Sequence, residues 1–220
     1  MISLIERISG RLWKILCGVV AASVLGGCFL PPAANLQDAR MVGKGNVRVT
    51  GFWSGLNDTG EDGEKVADEY GAMLGFGSSD RTEIQVRFER IAFADGDDGY
   101  QFLSIGPKFG LVEDRLALLV PGGVYVGEDI GWVETIQFQP ALMGSLPVSR
   151  NFEFNTAARF ILPLDPDLFT WFNVGFGVGL SSDLDRWAIL PEVSYSICLD
   201  EGEVDPIFSY GVALVFLPGD

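Results

Sequence analysis

Apolar and polar residues alternate along most of this chain, in segments separated by clusters of turn-forming residues. Ten such segments of about 10–15 residues follow one another from Asn46 to Leu217. Their approximate bounds are 46–56, 66–77, 81–93, 99–112, 115–126, 132–145, 151–163, 168–180, 186–198 and 206–217. Because successive side chains of a β-strand point to opposite faces, each segment is predicted to be a strand with one apolar and one polar face.

The polar faces carry charged residues in some segments and glycine in others. In RTEIQVRFE (81–89), isoleucine, valine and phenylalanine alternate with charged or amide residues. In TWFNVGFGVGL (170–180), the face opposite the apolar one holds Gly175, Gly177 and Gly179. Such glycines weaken a strand exposed to solvent, but inside a narrow closed barrel they leave room for larger side chains from the opposite wall.

Two all-β architectures give this alternation. A soluble sandwich buries the apolar face, whereas a transmembrane barrel turns it towards lipid. Segments of ten or more residues suit a bilayer crossing, since strands in soluble domains centre on five or six. We therefore predict an all-β fold, a closed antiparallel transmembrane β-barrel of about ten strands. Aromatic residues near the segment ends predict interfacial girdles, with Phe52, Trp53, Tyr100, Trp132, Phe169, Trp171 and Trp187 as members.

Four prolines fall inside the predicted strands: Pro107, Pro121, Pro140 and Pro191. Each removes a hydrogen bond from the ladder, and a closed barrel has no free edge at which to hide the loss. A bulge or kink is predicted at Pro121, which two glycines follow.

The N-terminal stretch is predicted to be a signal peptide, because basic residues precede a short apolar segment. Leu25-Gly26-Gly27-Cys28 resembles the lipobox of bacterial lipoproteins, in which the cysteine becomes the acylated N-terminus. The resemblance implies a cleaved lipoprotein signal peptide over 1–27 and a lipid such as palmitate on Cys28. No acidic residue follows that cysteine directly, which favours the outer membrane. Residues 28–45 are then an acylated tail and linker near the barrel mouth, and 46–220 the barrel.

Two further stretches resemble those of outer-membrane barrels. The last segment resembles their C-terminal insertion signal, with Ser209, Gly211, Leu214 and Phe216 in its defining positions. This implies recognition by the barrel-insertion machinery. The stretch LQDARMVGKGNVRV (36–49) is similar to one that precedes the first strand in a group of small bacterial outer-membrane lipoprotein barrels, where Leu-Gly-Lys-Gly is typical and this chain has Val42-Gly43-Lys44-Gly45.

The composition of the chain argues against several classes of function. The chain carries a formal charge of −15 and no histidine, although 48% of its residues are hydrophobic. Strong acidity disfavours nucleic acid as a partner. Without histidine, the commonest general base, the Ser-His-Asp and Cys-His arrangements and most zinc sites are excluded. We predict no enzyme, and no catalytic, cofactor-binding or metal-binding residues are identified.

An even strand number predicts that both ends of the barrel chain lie on one side, and a lipid anchor makes that side periplasmic. The N-terminus is then predicted on the periplasmic side, with the odd-numbered connections outside. Those connections hold 15 acidic residues, whereas the even-numbered ones hold five. Because hard cations prefer oxygen ligands, the acidic loops are candidate sites for a small ligand or a divalent cation.

Charged residues on the polar faces are predicted to form a lumenal network. They are Glu83, Arg87, Glu89, Glu134, Glu153, Arg159 and Glu192. Small barrels need such networks because their interiors are polar and tightly filled. The predicted function is structural or interactive, in a monomeric barrel embedded in outer-membrane lipid. Two alternatives stay open: a narrow transporter for a small or apolar solute, and a lipid-tethered soluble periplasmic β-sandwich or lipocalin-like binding protein.

Overall fold

Strands make up the regular structure of the described chain. The computed structural model describes residues 30, 34–60, 63–94, 96, 99–127, 135–200 and 204–217. The strands are β1 (Val47–Asp58), β2 (Lys65–Ser79), β3 (Thr82–Phe93), β4 (Tyr100–Val112), β5 (Leu116–Leu119), β6 (Gly122–Val126), β7 (Gln137–Phe138), β8 (Ala141–Ser149), β9 (Phe152–Pro163), β10 (Trp171–Leu180), β11 (Trp187–Cys198) and β12 (Ile207–Phe216). In these ranges no helix has the length and apolar character needed to cross a membrane.

The strands form one closed antiparallel sheet. β1 pairs with β2 on one side and with β12 on the other, in a register that runs from Val49 opposite Phe216 to Asp58 opposite Ile207. β5 and β6 both pair with β4, and β7 and β8 both pair with β9, so each of these couples is one interrupted strand. Ten strand positions therefore surround the lumen, which confirms the predicted closed ten-stranded barrel.

Prolines mark both interrupted strands. Pro121 stands between β5 and β6, and Pro140 between β7 and β8. The two breaks lie side by side, because the amide of Gln139 donates to the carbonyl of Pro121 at 3.0 Å. Proline has no amide hydrogen to give to the ladder, so each break coincides with a residue that weakens the pairing. Pro107 and Pro191, in contrast, remain within continuous strands.

The outer wall of the barrel is apolar. Large side chains at alternate strand positions are strongly exposed, for example Ile105 at 59%, Phe176 at 61% and Leu214 at 58%. Charged, amide and hydroxyl side chains of the same strands are buried inside, among them Glu83 and Lys108 at 0%. The alternation in the sequence therefore separates an apolar outer face from a polar lumen.

The girdle prediction is wrong for Phe52, Tyr100 and Trp171, which are buried inside the barrel. Trp53 does face outwards, is 39% exposed and donates from its indole nitrogen to Asp68. A position near the end of a strand fixes only the height of a residue, whereas the two-residue period decides its face. Trp132 lies outside the described residues.

The two ends of the barrel differ in their connections. At the short-turn end, the strands are joined by residues 80–81, 113–115, 150–151 and 181–186. At the long-loop end, the connections are 59–64, 94–99, 127–136, 164–170 and 199–206. β1 begins and β12 finishes at the short-turn end.

Candidate functional site

The chain that precedes β1 lies inside the barrel. Residues 34–42, here called the plug segment, include Asn35 at 1% exposure and Leu36 and Ala39 at 0%. Downstream of the plug segment, the amide of Gly45 donates to the carbonyl of Gly77 at 2.8 Å, at the short-turn end. The sequence predicted a tail near the barrel mouth, but the structure has this segment crossing the lumen.

Charged side chains hold the short-turn half of the plug segment. Arg48 of β1 pairs with Asp38 at 3.1 Å and also donates to the carbonyl of Arg40 at 2.8 Å. The ammonium of Lys108, from β4, donates to the carbonyls of Asp38 at 3.0 Å and Arg40 at 2.8 Å, and lies 3.7 Å from the carboxylate of Glu83. Two wall cations therefore bind the same two plug residues.

Glycines in β10 give space to the carboxylates that reach the plug segment. A Cβ on Gly179 would lie 2.6 Å from Cγ of Glu153, and one on Gly175 would lie 3.1 Å from Oε1 of Glu192. Glu153 then accepts two hydrogen bonds from the guanidinium of Arg40, at 2.8 and 2.9 Å. The glycine face thus makes room for side chains of the neighbouring strands β9 and β11, where the sequence predicted side chains of the opposite wall.

Glu192 holds the long-loop half of the plug segment by its backbone. Its carboxylate accepts hydrogen bonds from the amides of Asn35 at 2.6 Å and Leu36 at 2.8 Å. Arg87 donates to the carbonyl of Ala34 at 3.1 Å. An extended segment outside the sheet has no ladder partner for its backbone, and buried backbone groups need partners. Wall side chains supply them here.

Apolar and aromatic residues fill the long-loop end of the lumen. They are Leu56, Ala67, Ile91, Tyr100, Phe102, Tyr125, Ile161, Trp171 and Ile207, here called the apolar cap. Leu30 packs against this cap, and its carbonyl accepts hydrogen bonds from the hydroxyls of Tyr100 at 2.9 Å and Tyr125 at 3.2 Å. The chain upstream of β1 therefore extends from the short-turn end to the long-loop end.

Two small cavities lie beside the plug segment among the residues that the structure describes. One of ≈ 20 Å³ lies between Asn35, Gln37 and the wall residues Arg87 and Arg159. Another of ≈ 10 Å³ is lined in part by Asp38. A single water needs about 10–15 Å³ by this measure, so neither cavity takes a solute larger than water.

The predicted lumenal network falls largely inside the barrel. Six of its residues are buried there: Glu83, Arg87, Glu89, Glu153, Arg159 and Glu192. Arg87 and Glu89 form an ion pair at 2.5 Å. Glu134 and Cys28 lie outside the described residues. The structure brings Glu83, Arg87, Glu153 and Glu192 together around the plug segment.

Sequence reasoning missed several charged residues of this site. On the wall they are Arg48, Glu69 and Lys108, and on the plug segment Asp38 and Arg40. The period of two puts Arg48 and Lys108 on the polar faces of their strands, so that signal was present. The plug segment has no such period, and nothing in its pattern indicates a lumenal position.

The predicted insertion signal lies on β12, with its members on both faces. Ser209 is buried in the lumen, whereas Leu214 and Phe216 face outwards at 58% and 53% exposure. A Cβ on Gly211 would lie 2.7 Å from Cβ of Ser54 on β1, so the glycine permits the close packing of the two strands that close the barrel.

The acidic loops fall partly outside the described residues, which do not include 61–62, 95, 97–98 and 201–203. Within the described ranges, no group of three or more histidine, cysteine, aspartate or glutamate side chains is arranged to hold a metal ion. A cation or small ligand at these loops stays a prediction.

Comparisons with known proteins concern the fold. No family model and no curated protein matches the chain. An outer membrane channel from Pseudomonas putida F1 is 11% identical with a TM-score of 0.46, over 84% of this chain and 99% of that one. The translocator domain of the autotransporter NalP from Neisseria meningitidis is 12% identical with a TM-score of 0.41, over 94% and 96%. The N-terminal β-barrel domain of Pseudomonas aeruginosa OprF is 14% identical with a TM-score of 0.34, over 79% and 99%.

We expect Glu192→Ala to release the long-loop half of the plug segment from the barrel wall. The variant loses two hydrogen bonds to a buried carboxylate, which costs about 2–3 kcal/mol. Hydrogen exchange at the amides of Asn35 and Leu36 should speed up roughly 30- to 150-fold, measured by mass spectrometry of the peptide that covers 34–42. Glu113→Ala, in an exposed short turn, is the matched control. Equal exchange rates in the two variants would contradict the role of Glu192 in holding the plug segment.

Proposed function

We propose that this protein is a bacterial outer-membrane lipoprotein barrel, acylated at Cys28, whose lumen is closed by its own plug segment. Its role is structural or lies in interactions with partners. Its acidic long-loop end faces the outside of the cell. Outer-membrane lipid and the barrel-insertion machinery are its expected partners, and the barrel acts as a monomer without catalysis.

The inside-out distribution of side chains carries this proposal. Phe176, Ile105 and Leu214 are each more than half exposed on the outer wall, while Glu83 and Lys108 are fully buried in the lumen. Soluble proteins bury their large apolar side chains and rarely expose contiguous apolar surface on this scale. A bilayer is the solvent that such a wall suits. This distribution weighs against the soluble sandwich and the lipocalin-like protein.

The connections support the orientation. Outer-membrane barrels have short periplasmic turns and longer external loops, so the long-loop end corresponds to the outside. The acidic residues are concentrated in the long connections. An acidic exterior repels anions and favours cationic or neutral partners.

The filled lumen supports a structural or interactive role over transport. An eight-stranded barrel is filled by its own side chains, and ten strands leave additional space. In this chain the plug segment occupies that space, and the cavities beside it are of ≈ 20 and ≈ 10 Å³.

Cell fractionation of Cys28→Ala tests the proposal. Without its lipid, an embedded barrel stays in the outer-membrane fraction after an alkaline carbonate wash, because the apolar wall still requires lipid. It also migrates anomalously on a denaturing gel when left unboiled. Release of the variant into the soluble fraction, with normal gel migration, would overturn the proposal in favour of a tethered soluble domain. The wild-type protein, treated identically, is the control.

A further inference from the structure

We propose that the N-terminus of the mature protein emerges at the long-loop end, so that the lipid on Cys28 lies at the cell surface. The inference rests on the proposed function for the orientation of the barrel and for the acylation. The sequence prediction placed the start of β1 and the N-terminus on the same side of the membrane. This inference places them on opposite sides.

The first step is the direction of the upstream chain. Leu30 is bound by Tyr100, and Asp38 by Lys108, and both contacts join residues 70 apart in sequence. The upstream chain and β4 therefore advance together, from the long-loop end towards the short-turn end. Tyr100 is the first residue of β4, at the long-loop end. Leu30 thus lies at the height where β4 begins.

The second step is chain reach. Cys28 precedes Leu30 by two residues, which span at most about 7 Å. The distance along β4 from Tyr100 to Val112 is about 40 Å, since a strand rises about 3.3 Å per residue over its 13 residues. Cys28 therefore cannot return to the short-turn end while Leu30 holds its place. Acyl chains on this cysteine can enter only the leaflet at the long-loop end.

The third step is the strength of the hold. The upstream chain is bound near the long-loop end by two tyrosine hydroxyls, in the middle by the carboxylate of Glu192, and near the short-turn end by Arg48 and Lys108. These contacts come from four different strands, β1, β4, β6 and β11. The upstream chain is consequently held at three heights of the lumen.

An epitope-tag experiment on cells tests this topology. A short epitope is inserted directly after Cys28, and antibody binding is compared between intact and permeabilised cells. Two reference variants carry the same epitope at other positions. One has it in the long loop, directly after Asp165, and the other has it in the short turn, between Asp80 and Arg81. Incorporation of labelled palmitate verifies that the first variant is acylated.

We expect the Cys28 tag and the long-loop tag to bind antibody on intact cells, and the short-turn tag to bind only after permeabilisation. If the Cys28 tag needs permeabilisation while the long-loop tag does not, this inference is overturned and the proposed function stands. If the long-loop tag also needs permeabilisation, the orientation fails, and both the inference and the proposed function are overturned.

Discussion

Replacing residues 34–42 with a flexible glycine–serine segment of equal length, combined with Phe102→Ala and Tyr125→Ala to open the apolar cap, is expected to turn a silent barrel into an ion-conducting one. In the wild-type protein these residues fill the lumen, and the cavities beside them are ≈ 20 and ≈ 10 Å³. The replacement removes the side chains of Asp38 and Arg40, which bind the wall cations and Glu153. A lumen lined by unpaired charges fills with water and ions, because an uncompensated buried charge is strongly unfavourable.

Single-channel recording in planar bilayers measures this effect. The wild-type protein is expected to give no channel events, and the replacement variant discrete ones. A variant with the same glycine–serine replacement over residues 164–168, in a long loop, is the control and should remain silent. Channel events of equal size in all three proteins would show that the plug segment does not seal the lumen. That result would also revive the narrow transporter.

Lys108→Met is expected to lower the free energy of unfolding by about 3 kcal/mol. Lys108 is fully buried, and its ammonium donates to two plug carbonyls next to the carboxylate of Glu83. Methionine has a similar length but no charge and no donor. It leaves buried acceptors unpaired, and removal of one partner of a buried charged pair typically costs several kcal/mol.

Chemical denaturation in detergent micelles, followed by tryptophan fluorescence, measures the change. Lys65→Met is the matched control, because the Lys65 side chain is 43% exposed and pairs with Asp68 at the surface. Exposed pairs contribute about 0–1 kcal/mol, so this variant should unfold nearly as the wild type does. A loss for Lys108→Met no greater than that of the control would contradict the role of Lys108 as a central support of the plug segment.

Most of the barrel could be predicted from the sequence. Strand positions follow from the alternation of residues such as Ile84 and Phe88 with charged neighbours, and this alternation is a local property of the chain. The same period predicted the lumenal position of Glu83, Glu153 and Glu192. It could also have identified Lys108, which shares a face with Ser104 in β4.

Some features could be recognised only once the neighbouring strand was known. The glycines of β10 look like space for the opposite wall, but the side chains that use the space are Glu153 and Glu192 of the adjacent strands. Pro121 and Pro140 are far apart in sequence, yet their breaks coincide because the strands lie side by side. The register of pairing decides both features, and it is not written in either strand alone.

Alternation by itself thus determined the strands and the two faces of each, since the face of a strand residue depends only on its parity. The length of the segments then favoured a transmembrane barrel over a soluble sandwich. Tertiary structure decided the position of residues 34–42. Their partners include Arg48, Glu83, Arg87, Lys108, Ser145, Glu153 and Glu192, contributed by strands as much as 157 residues away. A segment without periodicity gives no local signal of its position, so the charged, polar and apolar partners of the assembled lumen fix its place.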